Sequence, residues 1–115
     1  SKNFTKTQKI KAEKEYLASF DIAGFTYYDG AEAFKDLEIG LLLDLIAEPE
    51  NEFDPKAIMI WYKDFHLGYI PRSENSIFYK LLRVGITQIE VRIQRIDPQN
   101  PPENQIGVVA YLTKK

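Results

Sequence analysis

Residues 48–60 read Glu-Pro-Glu-Asn-Glu-Phe-Asp-Pro-Lys-Ala-Ile-Met-Ile and connect two apolar runs of the chain. Pro49 and Pro55 each fix their own φ angle and drive the preceding residue toward extended geometry. The connector is therefore predicted to be stiff and to hold three side chains in fixed directions: Asn51, Phe53 and Asp54. Because Pro, Asn and Asp clusters are also ordinary turn chemistry, a purely structural turn between two strands is the alternative interpretation.

Short apolar runs on both sides of this connector predict a β-rich chain. Alternation is clearest at 41–47, where every second residue is a leucine that faces the same side of a strand. Gly68 lies inside a later run and predicts a bulge or a close backbone approach, and the alternation breaks again at 95–96. The predicted strands are 20–25, 41–47, 57–62, 65–70, 87–96 and 106–112.

Two short helical segments complete the pattern. Residues 31–37 form a weak helical turn, whereas Pro71 opens a stronger helix with Ser73 as its N-cap and Gly85 at its end. Residues 97–104 contain three prolines and are predicted to form a surface loop. The stronger helix carries an apolar stripe that is typical of core packing: Ile77, Phe78, Leu81 and Leu82.

Six short strands and two short helices predict a mostly β fold. Two helices cannot supply the crossovers that a parallel sheet needs, so neighbouring strands are expected to pair antiparallel. The predicted architecture is a small six-stranded antiparallel β-barrel of the OB or SH3-like kind, with a helix closing one end. This domain is placed at 20–115. It follows a basic N-terminal arm at 1–19 that is either poorly ordered and solvated, helical, or in contact with a phosphate backbone.

The composition excludes several classes of protein. At 115 residues the chain is long enough for one core, and it has no Cys and a single His. Disulfides and zinc sites of Cys/His spacing are therefore ruled out. No apolar run approaches the length of a membrane span and no signal peptide is visible, so a cytoplasmic protein is expected. The formal net charge of −2 lacks the strongly basic balance of many nucleic-acid binders.

The chain carries no recognisable catalytic constellation. His66 has no neighbouring Ser in the sequence and is interpreted as a structural histidine. No Gly-rich phosphate loop is present. Carboxylates crowd residues 48–54, but their spacing does not match a calcium loop, so a solvated acidic loop is preferred over a cation site. The chain is therefore expected to be neither an enzyme nor a holder of metal or cofactor.

A binding module fits the side chains better than an enzyme does. Stacking of nucleobases on aromatic rings contributes about 1–3 kcal/mol per base without sequence preference. The competing interpretation is that the aromatic residues belong to the core or to its rim. Candidate stacking residues are Tyr27, Tyr28, Phe53 and Tyr69, and candidate phosphate partners are Lys56, Arg72, Lys80 and Arg83.

Three segments of the sequence are together similar to the HIRAN domain family. They are 23–30 (Ala-Gly-Phe-Thr-Tyr-Tyr-Asp-Gly), 48–58 (Glu-Pro-Glu-Asn-Glu-Phe-Asp-Pro-Lys-Ala-Ile) and 67–71 (Leu-Gly-Tyr-Ile-Pro). The most specific signature is the pattern Asn-x-aromatic-Asp-x-x-Ala-Ile followed by Gly-Tyr-Ile-Pro. The resemblance extends over nearly the whole chain after the basic arm.

The resemblance implies a small β-barrel related to the OB and SH3-like folds. In eukaryotic DNA-remodelling translocases this domain captures the 3′ end of single-stranded DNA. Carried over to this chain, Asp54 would accept a hydrogen bond from the terminal 3′-hydroxyl and repel the phosphate of a continuing strand. Phe53, Tyr27 and Tyr28 would stack on or flank the last bases. Lys56 and the backbone N–H groups of the loop would face phosphate.

Two residues depart from the family pattern. Thr26 stands where the DNA-end binders carry a phosphate-contacting Arg, and Phe53 replaces a Tyr. The acidic residues of the loop add negative charge that salt does not screen at contact distance. Any DNA affinity is therefore expected to be weak and salt-sensitive. The implied nucleic-acid site comprises Tyr27, Tyr28, Asn51, Phe53, Asp54, Lys56, Tyr69 and Arg72.

The sequence thus predicts a bacterial-type nucleic-acid-binding module directed at the free 3′-hydroxyl end of single-stranded DNA, in DNA repair or replication-fork processing. The alternative is a protein-interaction module that kept the fold and lost the DNA site, with a helicase or nuclease as its partner. Under the first hypothesis, Asp54→Ala removes end discrimination and leaves the fold intact. Unfolding of that variant would instead mark Asp54 as a turn-forming residue.

Overall fold

The computed structural model describes residues 13–114. Within this range the chain forms strands β1 (Lys14–Asp21), β2 (Leu42–Ala47), β3 (Ile58–Tyr62), β4 (Phe65–Tyr69), β5 (Ile89–Ile96) and β6 (Ile106–Thr113), and helices α1 (Gly30–Ala33) and α2 (Asn75–Arg83). Short 3₁₀ turns lie at Phe25–Tyr27, Phe34–Asp36 and Pro102–Asn104. The prediction of a mostly β fold with two short helices is confirmed.

The six strands form one antiparallel sheet in the order β1-β6-β5-β2-β3-β4. The chain just after β1 meets the opposite edge of this sheet, where Ala23 and Tyr69 exchange two backbone hydrogen bonds of 2.9 Å. The sheet is therefore not closed into the predicted barrel, and a single isolated bridge joins its two edges. Pairing stops there because Gly24 adopts a left-handed φ of 72° and turns the chain into the 3₁₀ turn Phe25–Tyr27.

The core lies on the concave side of the sheet and is covered by α2. In β2, Leu43 is buried whereas Leu42 and Ile46 are exposed, as the alternation predicted. Phe78 of α2 is fully buried and packs edge-to-face on Phe20 of β1, with ring centroids 5.8 Å apart. The largest fully buried side chains are Phe25, Phe78, Ile22, Ile58, Ile60, Leu67, Ile70, Ile93, Ile106, Val91 and Val108.

The first strand begins at Lys14, inside the segment that was predicted to be a basic arm. It pairs with β6 from Lys14 opposite Thr113 to Asp21 opposite Gly107, so the boundary of the β domain at residue 20 was wrong. A register shift between Tyr16 and Ala18 breaks the alternation and hides the strand pattern in the sequence. Residues 1–12 of the predicted arm lie outside the described residues.

The helix predictions hold with two corrections. Helix α2 begins at Asn75 with Glu74 as its N-cap, so Ser73 is not the cap. Its residue Ile77 is 45% exposed and does not join the buried stripe. Gly85 follows the helix with a left-handed φ of 86°, as predicted. The weak segment at 31–37 is the short helix α1 followed by a 3₁₀ turn.

Both predicted bulges are present. The β5–β6 register shifts between Ile93 and Arg95, and the β3–β4 register shifts beside Gly68. Gly68 adopts a φ of 146°, and a Cβ added to it would lie 2.3 Å from the carbonyl oxygen of Ala23. The absence of a side chain at Gly68 therefore lets the segment after β1 approach β4, and this contact positions Tyr28 beside β4.

Candidate functional site

The connector between β2 and β3 is built from two nested side-chain turns. The Oδ1 atom of Asn51 accepts hydrogen bonds from the backbone N–H groups of Phe53 (2.8 Å) and Asp54 (2.9 Å). The Oδ1 atom of Asp54 then accepts the backbone N–H of Lys56 (3.0 Å). Side chains that fold back on the next residues in this way define a turn. The connector thus contains the turn chemistry that the sequence predicted.

Asp54 also ties this connector to helix α2. Its Oδ2 atom accepts a hydrogen bond from Nδ2 of the buried Asn75 (2.9 Å) and lies 3.8 Å from Nε of Arg72. The backbone N–H of Lys56, then the Asn75 amide and the Arg72 guanidinium, hold the pKa of the Asp54 carboxyl below its usual value. Asp54 is therefore ionised at neutral pH and held in place on both oxygens.

Arg72 lies over the same turn. Its Nη2 atom donates a hydrogen bond to the carbonyl oxygen of Phe53 (3.0 Å), which is its one hydrogen bond among residues 13–114. The side chain is otherwise largely exposed. A guanidinium has five N–H donors, so most of its hydrogen-bonding capacity faces outward beside the Asp54 carboxylate.

A second network fixes the base of the connector. The Tyr69 hydroxyl donates to Oε1 of Glu48 (2.6 Å), and Nδ2 of Asn51 donates to the same oxygen (2.8 Å). These two hydrogen bonds lower the pKa of Glu48. Burial, followed by the hydrogen bond to Glu48, raises the pKa of Tyr69, so this hydroxyl keeps its proton at neutral pH. Glu48 thereby joins the connector to β4.

A cluster of stacked rings forms the wall beside Tyr69. The His66 ring lies between Tyr28, at 4.2 Å between centroids, and Trp61, at 5.0 Å with an interplanar angle of 9°. Tyr69 packs edge-on to both Tyr28 and His66. The Nε2 atom of His66 is 3.1 Å from the carbonyl oxygen of Gly68. His66 is thus a packed, hydrogen-bonded structural histidine, which agrees with the interpretation from sequence.

The connector, the aromatic wall and Arg72 enclose a cleft of about 250 Å³. Its volume is below the roughly 300–1,000 Å³ of pockets that enclose whole drug-sized ligands, so it suits one part of a larger ligand. Phe53 stands at its rim with 82% of its surface exposed. The cleft is lined by Ala23, Tyr28, Asn51, Phe53, Asp54, Ala57, Tyr69, Ile70, Pro71 and Arg72.

Two of the predicted site residues do not line this cleft. Lys56 lines a depression of about 350 Å³ on the other side of Phe53, Asp54 and Arg72, and therefore remains next to the site. Tyr27 is 84% exposed and lines a separate depression together with Thr26. Tyr27 therefore does not line the cleft with Tyr28, although both rings lie within 4 Å of the place where a Cβ on Gly24 would stand.

The loop N–H groups that were expected to face phosphate point elsewhere. The N–H of Asn51 donates to the Glu48 carbonyl, and the N–H of Ala57 donates to the Asp54 carbonyl. Those of Phe53, Asp54 and Lys56 donate to the side chains described above. This prediction was wrong because the loop uses these donors to make its own turns. The cations nearest the cleft are the side chains of Arg72 and Lys56.

Three residues that shape the site are not among those predicted for it: Asn75, His66 and Trp61. Asn75 contacts Asp54 from 21 positions away, and the stacked rings meet only once the strands pair. Lys80 and Arg83, predicted as phosphate partners, are exposed on α2 and line neither the cleft nor the depression beside Lys56.

Among the described residues no group of three His, Cys, Asp or Glu side chains is placed to hold a metal ion. The helices of residues 13–114 include none that is both long and apolar enough to cross a membrane.

Two solved structures share the fold. A protein from Lactobacillus plantarum superposes with a TM-score of 0.76 at 22% identity, over 89% of this chain and 97% of that one. The HIRAN domain of human HLTF superposes with a TM-score of 0.60 at 14% identity, over 89% of this chain and 82% of that one. Comparison with curated protein sequences gives no match. The HIRAN domain family model matches residues 16–113, and the chain therefore belongs to the HIRAN domain family.

Proposed function

We propose that this domain binds single-stranded DNA at a free 3′-hydroxyl end, in the cleft beside Asp54. The observation that carries the proposal is that a carboxylate, a guanidinium and aromatic rings lie together in one cleft. The ionised Asp54 carboxylate lies 3.8 Å from the Arg72 guanidinium, and both line a cleft walled by Tyr28 and Tyr69. A hydroxyl acceptor, a phosphate partner and stacking surfaces are the three groups that a terminal nucleotide requires.

Asp54 has the capacity to read a terminal hydroxyl. Each carboxylate oxygen offers about two lone pairs, and the Lys56 N–H and Asn75 Nδ2–H occupy one on each oxygen. A free lone pair can accept the 3′-hydroxyl proton in a charge-assisted hydrogen bond. A 3′-phosphate would bring a second anion to the same place, and the like charges would repel each other.

Arg72 and Lys56 would contact the last phosphate groups. Arg72 lines both the cleft and the adjacent depression, and Lys56 lines that depression, so a backbone that runs from one to the other would pass both. Phe53 and Tyr28, exposed at the rim and on the wall, offer ring faces to the bases. Because Glu50 and Glu52 are exposed on the same loop, we expect the affinity to be weak and to fall steeply with salt.

The test is fluorescence anisotropy at low salt with two short strands that differ only in a 3′-hydroxyl or a 3′-phosphate. The wild type is expected to prefer the hydroxyl, and Asp54→Asn is expected to reduce that preference by about tenfold to a hundredfold, the range for a charged hydrogen bond. Asparagine keeps an oxygen for the Lys56 N–H, so the turn is retained.

Asp44→Asn is the matched control. Asp44 is exposed on β2, does not line the cleft, and carries the same charge. Equal end preference in wild type and Asp54→Asn would contradict the role of Asp54. If Asp44→Asn altered the preference as much as Asp54→Asn, the effect would be one of net charge and the cleft would not be the site.

A protein-interaction module is the second candidate. The outward face of β2 exposes Leu42 and Ile46, and β3 places Met59 opposite Ile46 and Trp61 opposite Asp44. Such a surface suits a protein partner, for example a helicase or nuclease that acts on DNA. Absence of binding to any DNA strand in the anisotropy experiment would favour this candidate over the first.

A further inference from the structure

The proton of the Tyr69 hydroxyl is used in a hydrogen bond inside the protein. It donates to Oε1 of Glu48 over 2.6 Å, within the roughly 2.5–2.7 Å typical of an O–H donor on an ionised carboxylate. The same oxygen accepts Nδ2 of Asn51, so two donors converge on it. Burial and the Glu48 contact raise the pKa of Tyr69, which keeps the hydroxyl protonated at neutral pH.

This hydrogen bond decides whether the Tyr69 hydroxyl can donate to a ligand or only accept from it. A tyrosine hydroxyl has a single proton and otherwise only lone pairs. Since the proton points to Glu48, the hydroxyl can act toward a ligand in the cleft only as an acceptor. The ligand must then supply the donor at this position.

Asn51, Asp54 and Arg72 do not reverse this arrangement, and Tyr28 acts in the same direction because it also raises the pKa of Tyr69. Oδ1 of Asn51 already accepts two backbone N–H groups, and Asp54 is itself an acceptor. The Arg72 donors are held over Phe53 and beside Asp54 at the other side of the cleft. At this wall, a ligand that presents a hydrogen-bond donor to the Tyr69 hydroxyl is therefore favoured.

We infer that Tyr69 reads the base of the bound nucleotide and favours bases with an exocyclic amino group, such as cytosine and adenine, over thymine or uracil. Cytosine presents an N4 amino donor where thymine presents the O4 acceptor. Glu48 is a positioning residue in this scheme, because it acts on the ligand only through the orientation of the Tyr69 hydroxyl. The inference rests on the proposed function of the same cleft.

The experiment compares two short strands that are identical except for a 3′-terminal deoxycytidine or deoxyuridine, measured by anisotropy at low salt. The rings are equal in size and differ in the group at position 4, amino or carbonyl, and in the N3 proton that uracil carries and cytosine lacks. One neutral hydrogen bond predicts about three- to tenfold tighter binding of the deoxycytidine strand. Tyr69→Phe, which keeps the ring, is expected to bring that ratio close to one.

Glu48 variants separate positioning from structure. Glu48→Gln keeps an amide oxygen that accepts the same two donors, so the deoxycytidine preference should remain. Glu48→Ala frees the Tyr69 hydroxyl to rotate and donate to O4, so the preference should be lost. Thermal melting of each variant verifies that it is folded. If Glu48→Ala does not fold, Tyr69→Phe alone tests whether the Tyr69 hydroxyl reads the base.

The outcomes distinguish the two proposals. Equal binding of the two strands, or tighter binding of deoxyuridine, with the 3′-hydroxyl preference intact would overturn the base reading alone. Binding of neither strand would overturn the proposed function and the base reading with it. If Tyr69→Phe retained the preference for the deoxycytidine strand, another group would be responsible for that preference, and the inference would be overturned.

Discussion

Asp54 receives hydrogen bonds on both carboxylate oxygens, one from the Lys56 backbone and one from the Asn75 side chain. The first shapes the connector and the second fastens it to helix α2. The same carboxylate therefore has a structural role and a candidate recognition role. Sequence reasoning separated these roles as alternatives, whereas the geometry allows both, because each oxygen keeps a free lone pair.

Replacement of Asp54 by Ala should lower the free energy of unfolding by about 1–3 kcal/mol, since it leaves the buried Asn75 amide without its acceptor. Urea denaturation measures this loss. The conservative Asp54→Asn variant should lose much less, because the Asn75 amide can rotate to present its oxygen. Equal stability of wild type and Asp54→Ala would show that neither hydrogen bond supports the fold.

Residue-level prediction succeeded where the signal is local. Asn51, Phe53 and Asp54 lie within one turn, and their spacing alone indicated that the turn presents them together. Asn75 and Trp61 were missed, and His66 was interpreted as structural without its place in the ring stack, because these roles depend on contacts between different segments of the chain. Tyr27 was predicted to share a site with Tyr28, and nothing local showed that it would instead line a separate depression.

At the scale of elements, the cleft depends on how closely the segment after β1 approaches β4. Ala23 bridges Tyr69, and Gly68 leaves the space for this contact. Asp29 extends the contact, because its carboxylate accepts the backbone N–H of His66 and its own N–H donates to the His66 carbonyl. The aromatic wall therefore follows from strand-edge geometry rather than from a loop motif.

Gly68→Ala should destabilise the protein by about 2–4 kcal/mol, because the added Cβ meets backbone atoms and the φ angle is unfavourable for alanine. Gly40→Ala is the matched control, since Gly40 also has a positive φ but no atom within 4 Å of an added Cβ. Thermal or urea unfolding of both variants gives the comparison. Losses of equal size would show that backbone strain, and not the close approach to Ala23, accounts for the effect.

Element boundaries show where sequence patterns fail. The strands from β2 to β6 were located because their alternation or apolar runs are regular. Strand β1 was missed before residue 20, because its first half is largely exposed and a bulge between Tyr16 and Ala18 breaks the alternation. The barrel closure was overestimated for a related reason: hydrophobic patterns indicate which faces are buried, but not how many bridges join two edges.

At the scale of the whole molecule, charge limits the interaction with DNA. The formal net charge of −2 provides no long-range attraction for a polyanion. Recognition in our account is therefore confined to the cleft, where Arg72 and Lys56 supply positive charge next to a site that admits only a chain end. Such a domain should bind ends and ignore the interior of a strand.

The most direct measurement compares one oligonucleotide in two forms, linear with a 3′-hydroxyl and covalently circular, in competition for the wild-type domain at low salt. The circular form carries the same bases and phosphates but has no end. Our account predicts that the linear strand displaces a labelled end-bearing strand and that the circle does not. Equal competition by the circle would contradict end capture and would show that the cleft, if it binds DNA, binds along the strand.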